Sequence, residues 1–128
     1  MTIGITPESQ AQPQLAVSEA MLYVLFDKIN QSHFEGAIPN SRIKWSDRIG
    51  NGKNHRYADF TVFQDRQFVP VIRLSKNLLA NETTKKISEV IFHEMIHIWL
   101  WNNGRSWGHT PDFHEKAKTF NFASLELT

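Results

Sequence analysis

Two histidines four residues apart bracket a glutamate in the run His93-Glu94-Met95-Ile96-His97. On an α-helix, positions i and i+4 lie about 40° apart around the axis, so both imidazoles leave from one face and can meet a single ion. Glu94 falls to the side of that face, where its carboxylate can reach a water on the metal rather than the metal itself. This is the H-E-x-x-H arrangement of a catalytic zinc site. The bland alternative is a pair of core histidines satisfied by backbone groups or by Glu89. A five-residue pattern of this kind arises by chance in roughly one chain in seventy of this composition, so its surroundings have to decide.

A catalytic zinc takes three protein ligands and keeps a fourth position open. The spacing that would place Gly at 100 and a third His at 103 is excluded, since those positions hold Leu100 and Asn103. His109, in Gly108-His109-Thr110-Pro111, is favoured, because a short connection after the motif can fold the chain back over the ion. His114 and Glu115 stay open as alternatives, Glu being the third ligand of thermolysin-like sites.

Composition supports this chemistry and excludes others. The 128 residues, 41% hydrophobic and 21% charged, suit one compact domain. With no Cys there can be no disulfide framework, iron–sulfur cluster or thiolate zinc ribbon, which leaves six His and the carboxylates for metal chemistry. A formal charge of +1 forces neither a nucleic-acid nor a membrane partner. No run approaches roughly 18 consecutive apolar residues, and no Lys or Arg precedes an apolar segment near the N-terminus. Neither a membrane span nor a signal peptide is therefore expected, and the expected location is cytoplasmic.

The elements that must position these residues follow from periodicity. Residues 1–14, rich in Gln, Thr, Ser and Pro, are expected to be a mobile leader, with the domain over 15–128. Leu15, Met21, Leu22, Val24, Leu25, Phe26 and Ile29 recur at helical spacing as far as Phe34, where Glu35-Gly36 and Pro39-Asn40 stop a first helix. Ile43 with Trp45, Tyr57 to Phe63, and Pro70 to Leu74 alternate as three strands, expected to be antiparallel. A second long helix, capped within 81–84, runs to Asn103-Gly104, and a third starts at Thr110-Pro111 and fades near Asn121. In the second, apolar residues from Ile87 to Trp101 run almost all the way round the axis, which predicts a helix buried on every side. The expected class is α+β: an N-terminal helix, a small three-stranded antiparallel sheet, the motif helix and a C-terminal helix.

The two His segments, His93 to His97 and Gly108-His109-Thr110-Pro111-Asp112-Phe113, resemble the SprT-like zinc metalloprotease core. So do Phe34-Glu35-Gly36-Ala37-Ile38-Pro39, Ile43-Lys44-Trp45-Ser46-Asp47-Arg48 and Ile72-Arg73-Leu74-Ser75, and the likeness covers about residues 20–122. The resemblance implies a minimal zincin-like fold with one Zn2+ held by His93, His97 and His109. It also implies an endopeptidase that hydrolyses peptide bonds through a metal-bound water, with Glu94 as general base and DNA-associated proteins as substrates. Thr110 stands where the family usually has Gly, and without Cys the chain would be the catalytic core lacking the four-Cys zinc ribbon of many relatives.

His55, Tyr57 and Arg73 are candidates for stabilising an oxyanion, and Val69 to Leu74 could offer a sheet edge to an extended protein or peptide substrate. Residues 42–56 carry five basic residues against Asp47 while the rest of the chain is net acidic. A basic hairpin is expected there, with Arg48, Lys53 and Arg56 available to DNA phosphates; a solvated turn with no partner is the competing view. Two other functions compete. One is a metal-stabilised protease fold that only docks on nucleic acid or a protein partner, and the other is an antirepressor-type zinc peptidase that cuts one regulator. Glu94 argues against pure docking, since a scaffold needs no general base. His33, His55 and His114 are left without a required role.

Overall fold

Ser18 starts the first helix in the computed structural model, which describes residues 17–50, 56–62 and 69–127. Its hydroxyl accepts the Met21 N–H at 3.1 Å, satisfying one of the donors that a helix start leaves over. Helix α1 (Glu19–Phe34) then buries Leu22, Leu25, Phe26 and Ile29, the i, i+3, i+4, i+7 stripe expected of an amphipathic helix. It stops at Glu35 and Gly36, both at positive φ, with the Gly36 N–H returning to the Asn30 carbonyl at 2.9 Å. The expected leader, 1–14, lies outside the described residues.

Strands β1 (Arg42–Ser46), β2 (Ala58–Val62) and β3 (Pro70–Ser75) form one sheet in the order β1-β3-β2. β3 is the central strand, parallel to β1 and antiparallel to β2. The sheet is therefore mixed, where an all-antiparallel one was expected. Neighbours in sequence usually pair, but here β3 inserts between the other two, so β1 and β2 are opposite edges. Residues 42–56 accordingly do not form a hairpin, and Val69 to Leu74 is not an edge. Helix α1 closes the β1 edge: Tyr23 OH accepts the Ile43 N–H, and the Glu19 carboxylate accepts the Trp45 N–H. The Trp45 indole also donates to the Val17 carbonyl at 2.9 Å, tying the start of the described chain to the sheet. Among the described residues no strand pairs with the outer edge of β2.

The sheet ends at Ser75, completely buried, whose hydroxyl donates to the Ile49 carbonyl and accepts the Leu78 N–H. It caps α2 (Lys76–Leu79), a single turn that composition did not reveal. Gly50 packs on the same hydroxyl: a Cβ there would lie 2.1 Å from it, and φ is +76°. Only glycine satisfies both conditions.

Helix α3 (Thr84–Asn102) is capped by Thr83, which accepts the Lys86 N–H at 3.1 Å. Ile87, Ile91, Phe92, Met95, Ile96, Ile98 and Leu100 are buried, whereas Lys85, Glu89 and His93 are exposed and His97 half-buried. The expectation of burial on every side is corrected: the stripe Glu89, His93 and His97, spaced by four, faces an open cleft. The apolar sides rest on α1, the sheet and the C-terminal segment. Helix α4 (Pro111–Ala117) starts as expected, Thr110 capping Phe113 and Pro111 in the first turn, but ends before Asn121, where a 3-10 turn (Phe122–Leu125) takes over. Among the described residues no helix is long and apolar enough to cross a membrane.

His33, given no role by its sequence context, locks this C-terminal turn to α1. The Asn121 N–H donates to Nε2 at 3.0 Å, so Nδ1 carries the proton and donates to Ser32 Oγ. The ring also lies against Phe92 and Phe120. Burial, and then the nearby Lys116 charge, lower its pKa below 6.5. The unfolded chain thus takes up this proton at higher pH than the folded one, so the stabilisation is complete above about pH 6.5 and lost as pH falls below it. Thermal unfolding of metal-free wild type and His33→Gln should show a gap of about 1–3 kcal/mol at pH 7.5 that narrows towards pH 5. A gap independent of pH would contradict this.

Candidate active site

A cleft of about 670 Å³ runs between α3, β2 and the loop that joins α3 to α4. Each wall has its own source. From α3 come Lys86, Glu89, Val90, His93, Glu94 and His97, the exposed stripe and its flank. From β2 and the two residues before it come Arg56, Tyr57, Ala58, Asp59 and Phe60. The loop supplies Trp107, Gly108 and His109.

The loop is held by backbone geometry. Asn103 and Gly104 end the helix by donating to carbonyls of its last turn, and the Arg105 N–H returns to the Leu100 carbonyl at 2.9 Å. Arg105 pairs with Asp112 at 2.6 Å, although both side chains are half exposed and such a pair contributes little. The decisive tie is from the helix: His97 Nδ1 donates to the Trp107 carbonyl at 2.5 Å. That bond fixes the tautomer and leaves Nε2 as the lone-pair nitrogen.

His93, His97 and His109 gather around one buried ring. Phe113, only 1% exposed, lies with its centroid 4.8, 4.6 and 4.7 Å from theirs. The His109 ring is 5.1 Å from His97 and 6.2 Å from His93. Around a tetrahedral zinc with Zn–N near 2.1 Å, imidazole centroids would be about 5 Å apart. One separation fits and the other is about 1 Å long, so the donors are neighbours rather than a closed cage. Among the described residues no three His, Asp or Glu groups already converge on one point. The donor chemistry suits zinc: burial lowers the pKa of both His93 and His97, so each ring is neutral at pH 7, the form that ligates metal. His109 lines the cleft, while His114 and Glu115 are exposed on α4 and do not.

Glu94 is pushed up to about 7, first by burial and then by the Asp59 charge, with Arg56 opposing. Arg73, a candidate for the oxyanion, is already engaged: its guanidinium makes two bonds to Asp59, at 2.9 and 2.6 Å. Tyr57 does line the cleft, with the Lys86 ammonium 5.0 Å from its ring centroid. His55 and Lys53 lie outside the described residues. Of the proposed DNA contacts, Arg56 is in the cleft and Arg48 is exposed beyond β1. The sequence reasoning missed Asp59, Phe60 and Trp107. For Trp107 a signal existed, a lone large aromatic among Gly, Arg and Ser two residues before the candidate ligand.

The model of the SprT-like family matches residues 22–128. The chain belongs to the SprT-like family. DNA-dependent metalloprotease SPRTN of Rattus norvegicus is 34% identical over 103 residues, which are 78% of this chain and 20% of that protein. The Homo sapiens SPRTN is 33% identical over the same shares. DNA-dependent metalloprotease dvc-1 of Caenorhabditis elegans is 30% identical over 111 residues, 80% of this chain and 28% of its own length. This SprT-like chain thus spans only 15–28% of the length of the curated relatives it matches. The family resemblance drawn from the two His segments is borne out.

The positions of these rings have a measurable consequence. In zinc titrations against a competing chelator, His109→Ala should weaken binding about 100-fold or more, while His114→Ala should bind as wild type does. The reverse result would move the third ligand onto α4.

Proposed function

We propose that this SprT-like chain is a zinc-dependent endopeptidase acting on DNA-associated proteins. One observation carries the reading: Glu94 shares a single cleft with three histidines, beside an edge strand with which no other described strand pairs on its outer side. The family and the names of the relatives, DNA-dependent metalloproteases, support it.

His93, His97 and His109 would hold the ion. When bound, zinc supplies Lewis acidity toward a peptide carbonyl and lowers the pKa of water toward 7. Everything else is work for the chain's own groups. With a pKa near 7 in the metal-free site, Glu94 can both accept a proton and release one at neutral pH. It takes the proton of the attacking water and delivers it to the departing amine. β2 offers its outer edge to an extended peptide backbone. The bidentate Asp59–Arg73 pair, directly opposite in the β2–β3 register, holds that edge in place. The peptide edge is therefore β2 rather than Val69 to Leu74. Arg48, Lys53 and Arg56 are the proposed DNA contacts, and the basic bias of 42–56 supports them although the segment is no hairpin.

Cleavage of a DNA-binding protein, assayed with and without single-stranded DNA, tests the reading. Glu94→Gln should lower the rate by at least about 100-fold while zinc stoichiometry stays at wild type. Cleavage by this variant at the wild-type rate would refute the assignment.

A further inference from the structure

The cleft holds two aromatic side chains, Phe60 and Trp107, that zinc ligation and proton transfer do not use. The Phe60 ring lies 6.0 Å from His97, nearly parallel at 18°, and Trp107 meets Phe60 edge-on at 5.5 Å. Phe60 and Trp107 thus form an aromatic shelf that joins the candidate ligand His97. Trp107 is 51% exposed, although its own carbonyl is fixed by His97. A large aromatic that is held at its backbone and left open at its ring, inside a concave site, is a surface awaiting an apolar partner.

We infer that Phe60 and Trp107 form a specificity pocket for a large apolar or aromatic side chain next to the scissile bond of the substrate. This rests on the peptidase reading and deepens it. Phe60 belongs to the edge strand β2, so a peptide lying along that edge brings its side chains to the shelf while its backbone passes Glu94. Alternate residues of an extended peptide point to one side, so a single flanking position is read. Phe60 stands on the edge strand itself, which favours a side chain of a peptide laid along that edge over a nucleobase as the occupant of the shelf.

The test uses the zinc-loaded full chain and a peptide library randomised on both sides of the cleaved bond. Cleavage should be enriched for Phe, Tyr, Trp, Leu or Met at one flanking position. For matched peptides carrying Phe or Ala at that position, Trp107→Ala should lower the Phe-to-Ala ratio of kcat/KM about tenfold, mainly through KM. Trp107→Phe should keep most of the ratio, and zinc stoichiometry measured in parallel shows that His97 is still held. A flat cleavage profile, or a preference that Trp107→Ala leaves intact, would overturn the pocket. Absence of any cleavage by wild type would overturn the peptidase reading instead. The pocket is then read separately, from binding of the same two peptides to zinc-loaded Glu94→Gln with and without Trp107→Ala. Tighter binding of the Phe peptide, lost with Trp107, supports it. Equal binding of both peptides, or displacement of the Phe peptide by a single-stranded oligonucleotide, overturns it.

Discussion

The hydrogen bond from His97 Nδ1 to the Trp107 carbonyl joins the two halves of the site. Helix α3 can set His93 and His97 by itself, because their spacing puts them on one stripe. It cannot set His109, which is twelve residues beyond His97 on a loop with no ladder of its own. A bond from one candidate ligand ring to the carbonyl two residues before the other brings the loop to the helix beside the motif histidines. The same bond chooses the His97 tautomer, leaving Nε2 for a metal. It also fixes the backbone of Trp107, so the aromatic shelf and the ligand set share one anchor.

The sheet imposes a complementary constraint. Placing β3 in the centre uses both of its edges and leaves β1 and β2 to be dealt with. β1 is sealed by α1, whose Tyr23 hydroxyl and Glu19 carboxylate take the outward N–H groups of Ile43 and Trp45. An unsealed edge is a liability in a soluble domain unless something is meant to pair with it. β2 is that edge, and it is the strand beside Glu94. Under the proposed peptidase reading, this open edge would align a peptide backbone with Glu94.

Much of this was legible in the sequence because it depends on local spacing. The motif histidines, the Ser- and Thr-capped helix starts, the Glu35-Gly36 stop and the Thr110-Pro111 start all follow from neighbouring residues, and the helices lie where those signals put them. Long-range pairing left weaker traces. Alternation marks a strand without naming its partners, so β3 passed for an edge and 42–56 for a hairpin. The all-round apolar pattern of α3 was misleading for a related reason: Trp99, Trp101 and Val90 are only half-buried, and the stripe at Glu89, His93 and His97 is what opens to the cleft. Asp59 could not be picked out either, since its importance lies in facing Arg73 across a register that only the fold defines.

The C-terminal segment shows how far from the cleft the site's rigidity originates. Phe113 is the buried ring beneath all three candidate ligands, and it is carried by α4, a helix of seven residues that could not hold its own position. Lys116, one turn further along, holds it. Its ammonium donates to the His33 carbonyl and lies 4.7 Å from the Phe34 ring and 5.3 Å from that of Trp99. His33 then accepts the Asn121 N–H, so the chain leaving α4 is pinned to α1 as well. The route runs from α1 through Lys116 and Phe113 to the imidazoles. Burial of a lysine amine and a neutral histidine is costly unless each is satisfied, and here each is satisfied by the other's segment. A histidine outside the cleft thereby supports three that line it.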